Sequence, residues 1–256
     1  MVFQNDILAG AAGAGVSYQI DQSIRFDSNG PAYLSRTFST PTDGKTFTWS
    51  GWVKRGKITG ASQTLISGGG GAEGTLYFHN EALEMYGWTG GAYSFQAWTS
   101  PLLRDPSAWY HVVAIYDSTE ATAADRVRFY VNGERITSFQ VSSYPGLNST
   151  TYLNSAVAHR IGYRMDNLVP WDGYMAEINF IDGQALDPTS FGETNDDGVW
   201  IPKAYAGTYG TNGFYITGED SADLGADYSG NGNDFTSSGL TSDDQVTERQ
   251  RITMQR

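Results

Sequence analysis

The stretch Trp109–Glu134, WYHVVAIYDSTEATAADRVRFYVNGE, leaves fewer folds open than any other part of the chain. It reads as two strands of a hairpin. Trp109-Tyr110-His111-Val112-Val113-Ala114-Ile115-Tyr116 is almost wholly apolar or aromatic, which predicts a strand covered on both faces. Arg126-Val127-Arg128-Phe129-Tyr130-Val131 alternates polar with apolar, which predicts a partner that faces water on one side. Asn132-Gly133 is the dipeptide that accepts positive φ at both centres of a tight turn. Together these features describe an antiparallel β-sandwich before they describe any chemistry.

Strand signals recur at close intervals on either side. They fall at Ser23–Phe26, Ala32–Phe38, Thr46–Lys54, Thr64–Ser67, Thr75–Phe78, Leu83–Trp88 and Tyr93–Thr99, and again at Arg135–Val141, His159–Tyr163 and Gly173–Asp182. Clusters such as Asp27-Ser28-Asn29-Gly30-Pro31 and Gly68-Gly69-Gly70-Gly71 separate them, and no stretch sustains a 3.6-residue period. Many short strands with Gly/Pro/Asn turns predict an all-β, two-sheet antiparallel jelly-roll sandwich. Within Thr46–Lys54, Phe47, Trp49 and Gly51 share one face and Thr48, Ser50 and Trp52 the other. Trp49 is assigned to the core; Trp52 either covers a second layer or presents its ring to a sugar.

Three segments are expected. Residues 1–17 form an extended N-terminal arm, in which Ile7, Leu8 and Val16 are the bulky side chains of the Ala/Gly-rich run ILAGAAGAGV and would contact a particle or another subunit. Residues 18–187 form the sandwich. Residues 188–256 carry isolated aromatics in Gly-, Asn- and Asp-rich sequence and are read as an irregular extension that wraps the sandwich or a neighbour. It opens at Asp187-Pro188-Thr189-Ser190, a capped helical turn with Pro at its first position.

Composition narrows the function classes. Aromatics are 14% of the 256 residues, and each buried ring removes roughly 150–250 Å² from water, so core material is ample. The net charge of −12 is wrong for gripping a phosphate backbone, which excludes nucleic acid as the expected partner. There is no cysteine, hence no thiol chemistry and no disulfide framework. Met1-Val2-Phe3-Gln4-Asn5-Asp6 has no basic n-region, and no apolar run is long enough for a membrane span, so neither secretion by a leader nor membrane insertion is expected.

Few constellations carry chemistry. Glu177-Ile178-Asn179-Phe180-Ile181-Asp182 invites comparison with paired carboxylates of a glycosidase, but period two puts Glu177 and Asn179 on one face and Asp182 on the other. Retaining hydrolysis wants carboxyls about 5–5.5 Å apart, so no catalytic residue is assigned and the chain is read as non-enzymatic. His79, His111 and His159 are dispersed, and Gly68–Gly71 lacks the following Lys-Ser/Thr of a phosphate loop. Asp227, Ser229, Asn231 and Asn233 place oxygen donors at alternate positions before and after glycines, like the opening half of a calcium loop without its closing Glu. Calcium is therefore the one cofactor entertained, against a metal-free Asx-rich turn.

With the strands in place, residues 24–186 resemble the laminin-G-like branch of concanavalin-A-like jelly rolls. The marks are Ile24-Arg25-Phe26, Phe47-Thr48-Trp49-Ser50-Gly51-Trp52-Val53-Lys54, Thr64-Leu65-Ile66-Ser67, Trp109–Ala114, Phe129–Gly133, His159-Arg160-Ile161-Gly162 and Gly173–Ile178, in this order. More narrowly, FQNDILAGAAGAG, WSGWVKRG and NGFYITGED…DLGADYSGNGNDFTSSGL are similar to virion structural proteins of tailed bacteriophages. That resemblance implies a decoration, fibre or appendage subunit located in the virion. Its partners would be capsid or tail proteins, copies of itself and host-surface polysaccharide. The longer proteins of that group continue after a segment like Asp244–Thr247 with T-P-T-N-N-Y-A-T, whereas this chain reads Gln250–Gln255 as QRITMQ. One permitted coding of Arg249–Gln255 gives Thr-Thr-Asn-Asn-Tyr-Ala when displaced by one nucleotide, so a frame shift near Thr247 is expected; codons that exclude that reading would refute it.

For carbohydrate the candidates are Trp88, Tyr93, Trp98 and Trp171 as exposed stacking rings, with Asp172 or Asn167 as polar partners. A free lectin is the alternative to the virion subunit, and a glycoside hydrolase using Glu177 is a third class.

Overall fold

The computed structural model describes residues 18–30, 32–58, 62–70 and 73–248. The arm residues Ile7, Leu8 and Val16 and the divergent segment from Gln250 lie outside the described residues. The strands begin with β1 (Gln22–Phe26), β2 (Tyr33–Thr37), β3 (Thr46–Arg55), β4 (Gln63–Gly69), β5 (Glu73–His79), β6 (Ala82–Thr89) and β7 (Ala92–Thr99). Then come β8 (Tyr110–Asp117), β9 (Val127–Val131), β10 (Glu134–Ile136), β11 (Phe139–Ser143), β12 (Ala158–Ile161) and β13 (Gly173–Asp182). The tail adds β14 (Gly192–Thr194), β15 (Trp200–Pro202), β16 (Phe214–Ile216), β17 (Thr236–Ser238) and β18 (Gln245–Thr247).

Two large antiparallel sheets pack as a jelly-roll sandwich, as the alternation predicts. The first runs β10-β9-β8-β3-β13-β1-β18, with β16 also paired to β13; the second runs β11-β7-β6-β5-β4-β12-β2-β17. Inward side chains include Phe47, Trp49, Val112, Ala114, Phe129 and Phe180 from the first sheet and Ile66, Leu76, Phe78, Leu83, Met85 and Phe95 from the second. The outermost strands are short: β10, β17 and β18 have three residues each and β11 five.

The hairpin that constrained the fold is β8 with β9, registered from Val112↔Val131 to Tyr116↔Val127. Asn132 (φ 54°) and Gly133 (φ 82°) make the turn from β9 into β10. A Cβ on Gly133 would also stand 2.7 Å from the Trp200 ring, so this turn needs glycine for space as well as for φ. The expected strand Arg135–Val141 is divided. Ile136 ends β10 in the first sheet, and the chain crosses at Thr137-Ser138 so that Phe139 begins β11 in the second. Alternation alone cannot register such a crossing, because each half keeps a period of two.

The tail explains why β8 is covered on both faces. A 3₁₀ turn (Pro188–Ser190), capped by Asp187 accepting from the Thr189 N–H at 2.9 Å, starts a third layer over the outer face of the first sheet. Phe191 and Tyr209 pack there on Val113, Ile115 and Ile181. Trp200 joins Trp52, Trp109, Ala176 and Ile20 in a second outer cluster, so Trp52 covers a layer and is 1% exposed. His111 rivets this layer: its Nδ1 accepts from Trp200 Nε1 at 3.0 Å, which leaves Nε2–H to donate to Ser50 Oγ at 2.9 Å. Burial pushes its pKa down to about 3, keeping it neutral. The tail also enters the core between the sheets, where Phe214 and Phe235 meet edge to face at 4.7 Å and both contact Phe38.

Candidate functional site

Sandwich geometry leaves the outer face of the second sheet without a third layer of its own strands, and the functional candidates gather there. Period two turns Glu73, Thr75, Tyr77 and His79 of β5, Glu84, Tyr86 and Trp88 of β6, and Gln96 and Trp98 of β7 away from the core. A register shift between Gly87 and Trp88 sets Tyr93 opposite Trp88. The two rings meet at 85° with centroids 4.9 Å apart, and Tyr93 meets Tyr86 at 88° and 5.4 Å. Tyr93 remains 50% exposed. Nearby, Trp98 stacks on His79 at 4.1 Å.

Beneath these rings lies a carboxylate with no solvent exposure. Glu84 accepts from Tyr77 OH at 3.0 Å, from His79 Nδ1 at 2.6 Å and from Gln96 Nε2 at 2.8 Å. Three charge-assisted donors offset the cost of burying it and fix the side chains that make them. Tyr86 OH donates to Glu73 in the same way. Burial and Glu84 together hold the Tyr77 hydroxyl far above its ordinary titration range, so it stays a donor.

The connection from β12 to β13, residues 162–172, forms a ridge across this face. Ser67 Oγ donates to the Tyr163 carbonyl at 3.0 Å, and Thr64 N–H to the Val169 carbonyl at 3.3 Å. Asn167 (φ 63°) and Val169 (φ 59°) take left-handed backbone there, which for a β-branched valine is strained. Arg164 pairs with Asp166 at 2.6 Å to close the loop. Ser67, which meets the ridge, belongs to one cross-strand row that spans the whole sheet: Thr236, Ser35, Arg160, Ser67, Thr75, Tyr86, Gln96 and Ser143 are successive partners. At strand spacing the row is about 34 Å long. Ser67 and Thr75 are buried in this row; the aromatic cluster lies on the β5–β7 side of the ridge and a cleft on the β2–β12 side.

The structure brings Trp88, Tyr93 and Trp98 to one outer face and puts Asn167 on the ridge, where its Oδ1 accepts from Arg160 Nη1 at 2.8 Å. Two candidates are corrected. Trp171 is 0% exposed; the chain dives from the ridge into the sandwich at this residue, and its ring packs on Phe78 at 5.7 Å. Asp172 is turned to Arg25 (3.0 Å) and Ser28 Oγ (2.6 Å), so its carboxylate ties β1 to the start of β13. Tyr77, Glu84, Tyr86 and Gln96 were missed, although Glu84-x-Tyr86-x-Trp88 in one period-two register was a readable sign.

The calcium expectation is also corrected. Both oxygens of Asp227 are occupied by the chain: Oδ1 accepts from the N–H groups of Tyr215 (2.8 Å) and Ser229 (2.9 Å), Oδ2 from Ser229 Oγ (2.7 Å) and the Asn233 N–H (2.8 Å). Asn231 donates to the carbonyls of Gly210 and Gly213, and Asn233 to those of Thr211 and Gly213. Inward-pointing N–H groups fill the place where a cation needs oxygens, so these residues do not fit calcium. No group of three or more His, Cys, Asp or Glu suited to a metal occurs among the described residues.

Glu177 and Asp182 do not act as a pair. Asp182 Oδ2 accepts from the N–H groups of Thr42 (2.7 Å) and Asn212 (3.1 Å) and Oδ1 from Asn154 Nδ2 (2.8 Å), a buried knot between sandwich and tail. Glu177 sits at a β-bulge with φ 51°, under the third layer, and accepts from Tyr18 OH at 2.6 Å and Tyr215 OH at 2.5 Å. Burial raises its pKa above the ordinary 4.5, outweighing the two phenols that lower it. Because the folded state holds this proton more tightly than the unfolded chain, its contribution to stability is full below pH 4.5 and is lost as pH rises through the raised value. Glu177→Gln is therefore expected to flatten the fall in melting temperature between pH 4 and pH 8; a wild-type-minus-variant difference that does not change with pH would refute this assignment.

Residues 26–190, more than half of the chain, match the family model Laminin_G_3, concanavalin A-like lectin/glucanases superfamily. The chain belongs to this family. A comparison with curated proteins gives no match. Among solved structures this concanavalin A-like chain is similar to a Bacteroides ovatus ATCC 8483 protein assigned provisionally to carbohydrate binding, with 19% identity and a TM-score of 0.59 over 92% of this chain and 62% of that one. It is also similar to domains LG4-5 of the mouse laminin alpha1 chain (15% identity, TM-score 0.45, 79% of this chain and 52% of that one). The heptameric SAP-like pentraxin of Limulus polyphemus gives 14% identity and a TM-score of 0.47, over 65% and 78%. These likenesses concern the fold. The Laminin_G_3 match ends at residue 190, so β14–β18 and the third layer lie beyond it.

Proposed function

We propose that the chain is a non-catalytic carbohydrate-binding jelly roll, carried as a decoration, fibre or appendage subunit of a tailed-bacteriophage virion and directed at host-surface polysaccharide. The observation that carries the binding part is the Trp88–Tyr93–Tyr86 cluster beside the Glu84–Gln96 hydrogen-bond network. Rings held edge to face lose little freedom on binding, and a half-exposed ring next to oriented polar groups suits the apolar face and hydroxyls of a sugar. The non-catalytic part is supported by the three donors that saturate Glu84, by the third layer over Glu177 and by the closed knot around Asp182. The virion setting rests on the sequence similarity of the opening, WSGWVKRG and tail segments.

Trp88→Ala and Tyr93→Ala are each expected to weaken binding by roughly 10–30-fold, as truncation of a central aromatic anchor does. A glycan array followed by calorimetry on the retained ligand measures this; full affinity in both variants, or no ligand on the array, would overturn the reading. Release of new reducing ends from that ligand would overturn the non-catalytic part. Purified phage particles whose genome encodes this chain but which carry no copy of it would overturn the virion setting.

A further inference from the structure

The third layer leaves a gap on the outer face of the first sheet, on the opposite side of the sandwich from the aromatic cluster. It is a cleft of about 190 Å³ between the lead-in to β1, the bulge of β13 and the segment after β16. Glu177 floors it, because the bulge at φ 51° turns this side chain outward beside Ala176 instead of inward. Glu177 is only 9% exposed, yet just one of its oxygens is used. Oε2 accepts from Tyr18 OH and Tyr215 OH, whereas Oε1 accepts from no donor among the described residues and is open to the cleft.

The other buried carboxylates described above are saturated: Glu84 and Asp182 each take three donors. Glu177 is surrounded by like charge instead. Burial first, then Asp21 and Glu219 at the rim of the same cleft, raise its pKa, and the two phenols offset this only in part. Lys203, on the far side of Glu177, is turned to the Thr189 carbonyl at 3.1 Å. A buried carboxylate with a free oxygen and no cation destabilises a fold, and a ligand cation would complete it. A metal ion needs several oxygens converging on one point, and no suitable group occurs among the described residues. An ammonium needs one strong acceptor with weaker ones around it, which Glu177 Oε1 and the two phenol oxygens supply.

We propose that this cleft binds a primary ammonium group carried on an unacetylated amino sugar. The sugar part rests on the carbohydrate-binding reading; the ammonium part rests on Glu177 and its anionic rim. Tyr228, 43% exposed and held by its N–H donating to the Tyr215 carbonyl at 2.7 Å, stands at the mouth with a ring for the sugar's apolar face. Gln22 and Thr217 add polar groups for its hydroxyls. A bare alkylamine would leave these groups unused.

The test is calorimetry of the full chain against glucosamine oligomers, the same oligomers N-acetylated, and cadaverine. At pH 7 the free-amine oligomers are expected to bind about tenfold or more tighter than the acetylated ones. The preference is expected to shrink at pH 4, where the raised pKa leaves Glu177 protonated and unable to pair with a cation. Glu177→Gln is expected to make the two forms bind alike while melting at or above the wild-type temperature at pH 7, which separates lost recognition from lost folding. Tyr228→Ala, an exposed change, is expected to weaken the free-amine oligomers about fivefold or more with the melting temperature unchanged. Equal affinity of the two forms, or a preference that survives Glu177→Gln, overturns the proposal, as does failure of the free-amine oligomers to bind. A preference lost in Trp88→Ala and kept in Glu177→Gln places the amine on the other sheet and overturns it too. Glycan binding at Trp88 and Tyr93 would still uphold the wider reading in each of these events. Cadaverine binding as tightly as the glucosamine oligomers overturns the choice of a sugar.

Discussion

A chain ending at Asp187 is expected not to reach a folded state, although it contains nearly all of the segment that matches the family. Without the tail, Phe214 and Phe235 leave the sandwich core, and loss of a buried aromatic costs about 3–5 kcal/mol each. Two such losses approach the whole stability of a domain, roughly 5–15 kcal/mol. The truncation also bares Trp52, Val113, Ile115 and Ile181 on the outer face and leaves His111 with an unpaired acceptor. Asp182 would lose Asn212, one of its three partners. Near-ultraviolet circular dichroism and limited proteolysis give the readout: a truncated chain with wild-type tertiary signal and protease resistance would show that the third layer is dispensable.

Trp171→Ala is expected to cost about 3–5 kcal/mol, the range for emptying a fully buried large aromatic site. At 256 residues this lowers the melting temperature by roughly 10 °C. Trp88→Ala, in the outer aromatic cluster, is expected to leave the melting temperature within a few degrees while weakening the proposed glycan binding. The two tryptophans thus separate by readout, one moving stability and the other affinity. A Trp171→Ala protein that melts like wild type would contradict the burial described above.

The contrast between these residues also shows what local sequence conveys. Trp88 follows Glu84 and Tyr86 at period two, so its outward direction was legible from the strand itself. Trp171 stands between Pro170 and Asp172 in a connection with no period, and its burial depends on how the ridge returns to the sandwich. The hairpin Trp109–Gly133 and most strand positions were legible because alternation and turn chemistry are local. The role of the tail was not, since its isolated aromatics act on partners far away in sequence: Phe235 on Phe38, Trp200 on His111. Asp227 shows a further limit. Alternating oxygen donors fit a cation loop and an Asx-stapled loop equally well, and only the inward direction of backbone N–H groups tells them apart.

The four short boundary strands bear on how many copies can be crowded together. An edge recruits a foreign strand in proportion to the unpaired backbone it offers, and long flat edges are the dangerous ones. Here β10, β17 and β18 offer three residues each and β11 five, so neither flank can template a continuous sheet. Copies held at very high local concentration would therefore stay separate instead of joining edge to edge.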